Sequence, residues 1–236
     1  MRAVVLAGGK GTRLEPYTTI LPKPLMPIGD MPILEVLLRQ MKRAGINHVV
    51  LTVGHLAPLL RAYFGDGAQW DLDITYSPEQ VPLGTAGPLS LVQGLEKTFL
   101  VTNGDVLTTL NLKKLIAFHK QKGGIATISA HRRQIRIDLG VIEWDSDDRI
   151  SGYIEKPTTD YSVSMGIYVF EPRVLEYIPV GKHLDFPDLI LKLIASGEIV
   201  SGYTFDGYWM DLGRADDYHQ ANQDFNQMKK QFLPED

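Results

Sequence analysis

The chain has 236 residues, a net charge of −4 and a charged fraction of 22%, so it lacks the basic field that would hold nucleic acid. Its hydrophobic fraction of 44% is ordinary for a globular protein with one large domain. The absence of cysteine excludes disulfides, thiolate catalysis and cysteine-bound zinc, and it favours a cytoplasmic protein. No apolar run reaches the roughly 18 residues of a membrane span, and the first strand leaves no room for a signal peptide, so no membrane partner is expected.

Short apolar strands alternate with helical patterns through the first 130 residues. Strands are predicted at Ala3–Ala7, His48–Val53, Asp73–Tyr76, Thr98–Thr102 and Ala126–Ala130. Helices are predicted at Pro32–Ala44, Leu56–Phe64, Thr85–Gln93 and Leu112–Lys122. This alternation indicates an α/β fold with a mostly parallel central sheet and helices on both faces.

The pattern changes after residue 130. A hairpin is predicted from Gly140–Trp144 and Arg149–Glu155, because the acidic cluster between them is typical of a turn. The remaining elements are a strand, a helix, a strand and a helix, at Met165–Phe170, Phe186–Ala195, Ile199–Thr204 and Ala215–Phe232. We therefore predict a single domain over residues 1–236, whose second half adds a small sheet over the carboxyl edge of the main sheet, where ligands bind in such folds.

The most informative segment is the glycine-rich loop after the first strand. Gly8, Gly9 and Gly11 leave the backbone bare, so its N–H groups can approach an anion closely. Arg13 adds a permanent charge that binds phosphate in bidentate fashion. Lys23 adds a second cation between two prolines that restrict the local backbone. A strand, a bare loop and two cations are what a nucleoside triphosphate requires.

This loop differs from two common phosphate-binding loops. A P-loop has the pattern G-x-x-x-x-G-K-[ST], whereas here Lys10 precedes Gly11. A dinucleotide loop needs a third glycine, and Leu14 stands there with Pro16 soon after, which disfavours an NAD-type oxidoreductase. For the loop alone, the alternative is a tight turn in which the glycines serve only the backbone geometry.

The loop, extended through Arg13–Thr18 to Pro22–Pro24, resembles the signature of the sugar-nucleotide pyrophosphorylases, the nucleotidyltransferases that act on sugar 1-phosphates. Four further stretches are similar to that family in the family's order, namely Pro82–Gly87, Asn103–Asp105, Glu155–Pro157 and Trp209–Gly213. The resemblance implies a Rossmann-like nucleotidyltransferase fold. It also implies that a nucleoside monophosphate passes from an NTP to a sugar 1-phosphate, with release of pyrophosphate, in a monomer or homodimer.

The chemistry of this reaction needs alignment and charge neutralisation rather than a general base, because a phosphate monoester is already anionic near neutral pH. The resemblance implies Mg²⁺ as the cofactor, with Asp105 and Asp211 as its ligands. It makes Arg13, Lys23 and Asp105 catalytic: Arg13 would hold the pyrophosphate, and Lys23 would contact the α-phosphate and the incoming sugar phosphate. The alternatives are that Asp105 caps the helix beginning near Leu112, that Asp211 is structural, and that Lys23 is solvated.

Glu79 stands where the family reads the base. A carboxylate accepts hydrogen bonds from both N1–H and the 2-amino group of guanine, whereas uracil and thymine offer one ring N–H. Glu79 and the Pro82–Gly87 stretch therefore favour GTP and the mannose-1-phosphate guanylyltransferase branch. Gln80 could instead serve a pyrimidine, and Glu79 could be an exposed loop acid. The residues implied to bind the nucleotide are Leu6, Ala7, Gly8, Gly9, Gly11, Thr12, Arg13, Glu79, Gly84, Thr85 and Asn103.

The second half of the chain is implied to bind the sugar phosphate. Lys156 would bind its phosphate and Glu155 would accept hydrogen bonds from sugar hydroxyls, the alternative being a surface ion pair. Ser164–Met165 replaces an Asn-Ala-like pair that is usual in the family. The sequence therefore allows a deoxy, amino or heptose sugar as the substrate as readily as mannose. The residues implied to bind the sugar phosphate are Gly140, Glu155, Lys156, Ser164 and Gly166.

Three functions remain open from the sequence. The first is guanylyl transfer to a sugar 1-phosphate, and the second is uridylyl, thymidylyl or cytidylyl transfer to a hexose or heptose 1-phosphate. The third is a non-catalytic regulatory subunit that binds nucleotide sugars, although such a subunit is expected to have lost Arg13, Lys23 or Asp105. Residues 1–130 are expected to bind mainly nucleotide, and residues 131–236 mainly sugar phosphate.

Overall fold

A computed structural model describes residues 1–234. Its strands are β1 (Arg2–Ala7), β2 (Pro27–Ile28), β3 (Met31–Pro32), β4 (His48–Val53), β5 (Asp73–Pro78), β6 (Phe99–Asn103), β7 (Val106–Thr108), β8 (Ala126–Arg136), β9 (Val141–Trp144), β10 (Ile150–Ile154), β11 (Thr158–Phe170), β12 (Val200–Phe205) and β13 (Trp209–Asp211). Its helices are α1 (Ile33–Arg43), α2 (Ala57–Phe64), α3 (Leu112–Lys122), α4 (Phe186–Ala195) and α5 (Ala215–Phe232).

The central sheet has seven strands in the order β12-β8-β11-β6-β1-β4-β5. β1 pairs in parallel with both β4 and β6, and β4 pairs in parallel with β5. β11 runs antiparallel to its neighbours β6 and β8. Three two-stranded antiparallel sheets are added, β10-β9, β13-β7 and β2-β3. The predicted fold class, a mostly parallel sheet with helices and added small sheets, is therefore confirmed.

The core lies on both faces of the central sheet. One buried cluster joins β1 and β4 to α1, α2 and α3. A second cluster, on the opposite face, joins the alternate residues of β1, β4 and β6 to α4. Central parallel strands are covered on both faces, so their sequences are nearly continuous apolar runs, as in β4. No helix within residues 1–234 is long and apolar enough to cross a bilayer.

Three predicted elements were wrong in form or extent. The helix predicted at Thr85–Gln93 is a short 3₁₀ turn at Gly87–Leu91, because Gly87 and Pro88 stand where a helix would need backbone rigidity and an N–H donor. β8 and β11 also run several residues beyond their predicted ends. Their extensions pair with each other as an exposed ribbon, so no buried apolar pattern marks them in the sequence.

Candidate active site

The carboxyl ends of β1, β4, β5 and β6 meet at one edge of the sheet, as parallel pairing requires. The end of β1 is held against the segment after β6, because Gly104 N donates to Leu6 O at 3.0 Å. A cavity of about 300 Å³ opens at this edge. The predicted nucleotide-binding residues that line it are Leu6, Gly8, Gly9, Gly11, Arg13, Glu79, Gly84, Thr85 and Asn103.

Two of the predicted nucleotide-binding residues do not line this cavity. Ala7 belongs to the buried core on the other face of the sheet. Thr12 is exposed and begins a 3₁₀ turn that ends at Leu14, which is buried. A larger groove of about 1,000 Å³ lies between α1 and the end of α5, but none of the predicted site residues lines it.

Two loop glycines allow parts of the chain to approach closely. A Cβ atom at Gly8 would lie 2.5 Å from Glu79 Oε1, so a side chain there would displace the carboxylate from the cavity wall. Gly11 has a φ of +67°, and a Cβ there would lie 2.9 Å from Thr18 Cγ2. Gly9 has open space beside it. The glycines thus serve the backbone geometry and also leave room at the cavity.

Lys23 joins two aspartates that are far apart in the sequence. Its ammonium group contacts Asp105 Oδ2 and lies 3.8 Å from Asp211 Oδ1. The aspartates meet because β13 pairs with β7, which places Asp211 opposite Val106. Leu212 N donates to Asp105 O at 3.2 Å and extends the same pairing. The lysine side chain is only 11% exposed, so it is a positioned cation rather than a solvated one.

Asp105 does not cap α3. The N-cap of that helix is Asn111, whose side-chain oxygen accepts from Lys114 N at 3.1 Å. Asp105 instead lies between β6 and β7, separated from the end of β6 by Gly104, and it lines the cavity. Its carboxylate is therefore available to Lys23 and to a ligand.

Arg13 lies beside the strand end that carries Asp211. A Cβ atom at Gly213 would lie 3.2 Å from Arg13 Nη1, so the guanidinium occupies the space that a side chain there would need. Burial raises the pKa of the Asp211 carboxyl and the charge of Asp105 adds to this rise, while Lys23 and Arg13 oppose it. Two cations and two carboxylates thus act on one another at this edge.

Glu79 is not an exposed loop acid. It follows β5, its backbone N donates to Val53 O at 2.8 Å, and its Oε2 accepts from Leu83 N at 3.2 Å. Burial raises the pKa of the Glu79 carboxyl, which is partly offset by that backbone hydrogen bond. Gln80, the alternative base reader, is exposed.

Thr85 lines the cavity, but its hydroxyl is already engaged elsewhere. Thr85 N and Oγ1 donate to Asp185 Oδ1 at 2.9 and 3.0 Å, and Thr85 Oγ1 accepts from Phe186 N at 2.9 Å. Gly84 has a φ of +77° and packs against Leu184 O. This stretch therefore ties one cavity wall to the start of α4.

The predicted sugar-phosphate residues fall into two groups. Gly140, Glu155 and Lys156 lie together near the β9–β10 hairpin, where Tyr153 OH contacts the space beside Gly140 and donates to Glu155 Oε2 at 3.4 Å. Lys156 Nζ lies 3.9 Å from Glu155 Oε1, and both side chains are about half exposed. These three residues do not line the cavity, so their roles stay predictions.

Ser164 and Gly166 lie in an irregular part of β11, where the register with β8 shifts between Ser164 and Tyr168. Gly166 has a φ of +70°, and a Cβ there would lie 2.6 Å from Asn103 Nδ2. Trp209 Nε1 donates to Met165 O at 3.0 Å. The irregularity therefore brings this part of β11 against the cavity edge, as bulges beside ligand sites commonly do.

Comparison with known proteins places this arrangement in a family. The profile described as nucleotidyl transferase matches residues 2–228. The chain belongs to the nucleotidyl transferase family. It is 37% identical to a mannose-1-phosphate guanylyltransferase from Mycobacterium tuberculosis and 36% identical to a UTP–glucose-1-phosphate uridylyltransferase from Synechocystis. Each match covers 94% of this chain, but only 64% and 62% of the respective relatives, so the chain spans less than two thirds of their lengths.

The fold of this nucleotidyl transferase is also found in a solved structure. A candidate glucose-1-phosphate thymidylyltransferase from Bacillus anthracis, in complex with a sucrose, superposes with a TM-score of 0.77. The superposition covers 98% of both chains at 23% identity. At that identity the likeness concerns the fold alone.

The carboxylates of this nucleotidyl transferase fit a magnesium ion whose other ligands are phosphate and water oxygens. Within residues 1–234, no three His, Cys, Asp or Glu side chains cluster as an all-protein metal site. Mg²⁺ bound to nucleotides typically takes one or two carboxylates, with phosphate and water oxygens as its other ligands. Asp105 and Asp211 supply two such carboxylates beside one ammonium group.

Two residues at this site carry no sequence signal: Asp185 holds the loop of Thr85, and Thr52 lines the cavity from β4. Trp209 opens one of the family-like stretches, but its role in holding the irregular segment of β11 is visible only in the structure. Asp185 and Trp209 act through pairings between distant segments. Thr52 looks like an ordinary strand residue until the neighbouring strands are placed.

Proposed function

We propose that this nucleotidyl transferase transfers a nucleoside monophosphate from an NTP, with GTP preferred, to a sugar 1-phosphate. A phosphate oxygen of the sugar forms a new bond to the α-phosphorus, and the bond from the α-phosphorus to the bridging oxygen of the β-phosphate breaks. The products are a nucleoside diphosphate sugar and pyrophosphate. The observation that carries this proposal is the convergence of Lys23 with Asp105 and Asp211 at the edge of a cavity with a glycine-rich wall.

Each charged residue has a role that follows from its position. Lys23 contacts the α-phosphate and the attacking phosphate, because its ammonium stands at the centre of the charged group. Arg13 holds the leaving pyrophosphate through its planar guanidinium. Asp105 and Asp211 would hold Mg²⁺, which when bound neutralises charge on the phosphates. The nucleophile is already an anion, so the protein's task is to align it with the α-phosphorus.

The sugar phosphate approaches from the second half of the chain. Lys156 is the cation proposed for its phosphate, and Glu155 the acceptor for its hydroxyls. Ser164 and Gly166 border the cavity edge next to Asn103 and would contact the sugar. A cysteine-free composition further supports a cytoplasmic enzyme.

The experiment that tests this function is a matrix of four nucleoside triphosphates against a panel of hexose and heptose 1-phosphates. We expect pyrophosphate release that depends on both substrates, with GTP turned over fastest. A chain that binds nucleotide sugars without turnover of any pair would instead be the non-catalytic subunit.

Glu79→Gln is expected to reduce the preference for GTP over UTP by about tenfold, because a charge-assisted acceptor of two guanine hydrogen bonds is replaced by one neutral carbonyl. The measurement is the ratio of kcat/KM for GTP to that for UTP. Gln80→Ala, at the exposed neighbouring position, is the matched control and should leave the ratio within about twofold. An unchanged ratio in the Glu79 variant would reject its role in reading the base.

A further inference from the structure

Three side chains lie in a row across the strands at one wall of the cavity. In the central sheet, Leu6 of β1 lies opposite Thr52 of β4 on one side and opposite Asn103 of β6 on the other. All three line the cavity. They continue the face of the sheet that carries Val4 and Val50, since alternate residues of a strand share a face. The wall thus has an apolar centre with a polar side chain on each side of it.

The hydroxyl of Thr52 has no hydrogen-bond partner among residues 1–234. Thr52 is 1% exposed, and its Oγ1 makes no hydrogen bond. Among residues 1–234, the only other buried side-chain atom in this state is Ser129 Oγ, on β8, which does not line the cavity. A buried hydroxyl without a partner is costly, and native structures rarely keep one without a reason. A ligand atom in the cavity is such a reason.

Glu79 places an acceptor on the wall of the same cavity. Its Oε2 accepts from Leu83 N, and its Oε1 faces the bare backbone of Gly8. Thr52 and Glu79 therefore offer a base in this cavity an unpartnered hydroxyl and a carboxylate. The hydroxyl can donate, whereas an ionised carboxylate can only accept.

This pair matches one class of nucleobase. Guanine, uracil and thymine each carry a ring N–H directly beside a ring carbonyl. Adenine and cytosine carry instead a ring nitrogen lone pair beside an amino group, so the lone pair would face the Glu79 carboxylate without a proton between them. A carboxylate and a free hydroxyl on the wall of one cavity thus favour the keto bases.

We propose that Thr52 is a specificity-determining residue whose hydroxyl donates a hydrogen bond to a carbonyl oxygen of the base. The ring N–H beside that carbonyl donates a hydrogen bond to the Glu79 carboxylate. This inference rests on the proposed function in requiring that a nucleoside triphosphate bind in the cavity. It goes beyond that function in assigning a residue to the choice of guanine, uracil or thymine over adenine and cytosine. For guanine the carbonyl is O6, and for the pyrimidines it is O4.

The test is calorimetric binding of GTP, UTP, ATP and CTP, each with Mg²⁺ and without sugar phosphate. Thr52→Val keeps the shape of the side chain and removes the hydroxyl, and it is expected to weaken the better-bound keto nucleotide about five- to tenfold. ATP and CTP should change by less than about twofold, because their bases do not use the hydroxyl. Thr52→Ser retains the hydroxyl and should restore most of the affinity, and Ser129→Ala is the control for loss of a buried unpaired hydroxyl elsewhere.

A thio-substituted nucleotide tests the contact itself. Sulfur is a poor acceptor, so 6-thio-GTP or 4-thio-UTP should bind the wild-type protein more weakly than its oxygen counterpart. The same substitution should have little effect in Thr52→Val, because the two changes remove one hydrogen bond and are not additive. Equal effects of the thio substitution in both proteins would overturn the contact.

The outcomes separate this inference from the proposed function. Wild-type binding of GTP or UTP with unchanged affinity in Thr52→Val would overturn the role of Thr52 and leave nucleotide binding in place. A wild-type protein that binds none of the four nucleotides would overturn both. Thermal unfolding of each variant shows that the compared proteins are equally folded.

Discussion

Asp105→Asn is expected to lower kcat for nucleotidyl transfer by about 10³-fold or more, while the chain stays folded. The substitution removes a carboxylate that contacts Lys23 and that is proposed to hold Mg²⁺ against the phosphates. Asparagine keeps the size of the side chain, so the packing at the end of β6 should persist. The measurement is pyrophosphate release under saturating substrates, together with thermal unfolding.

The control for Asp105 is Asp188→Asn, an exposed acid in the first turn of α4. Its kcat should stay within about twofold of the wild-type value. If Asp105→Asn retained full turnover with Mg²⁺, Asp105 would not be a metal ligand. If both variants lost activity in proportion to lost stability, the effect would be one of folding.

Lys23→Met is expected to lower kcat by about 10²- to 10³-fold, because it removes the cation proposed to meet the α-phosphate in the transition state. It should also cost roughly 1–3 kcal/mol of stability, since Asp105 and Asp211 lose the ammonium that lies between them. Methionine retains most of the buried hydrocarbon stem. Single-turnover rates and unfolding by denaturant measure the two effects separately.

Two further variants, Lys23→Arg and Lys120→Met, serve as controls for this result. Arginine keeps the charge but changes its shape and reach, so only a small part of the activity should return. Lys120 is an exposed residue of α3 and its loss should alter neither quantity by a measurable amount. A Lys23→Met variant that is less stable but fully active would make Lys23 a structural cation.

The sequence predicts the parts of this site that depend on local chemistry. Gly8, Gly11 and Arg13 follow one short strand, and their residue types alone indicate a bare loop beside a cation. Asp105 closely follows a buried strand, and the edge of the sheet at which it lies follows from the parallel order of the strands. The type of a secondary-structure element could also be predicted where the helical pattern in the sequence was long, as in α5.

The rest depends on pairings that local patterns do not contain. β7 and β13 have three residues each, too few for a periodic signal, yet their pairing brings Asp211 to Asp105. Thr85 was predicted to bind nucleotide, but the structure uses its hydroxyl to hold Asp185. Thr52 gives no signal at all, because only its neighbours across the sheet show that it borders a cavity.

Phosphorus NMR of the wild-type protein with GTP, Mg²⁺ and the best sugar 1-phosphate from the matrix tests the central claim most directly. We expect the sugar phosphate signal to disappear as two diphosphate signals of the nucleotide sugar and one pyrophosphate signal appear, with one pyrophosphate formed per nucleotide sugar. Release of orthophosphate with the sugar phosphate unchanged would show that the chain is not a nucleotidyltransferase acting on sugar 1-phosphates, and so would pyrophosphate formed without the sugar phosphate.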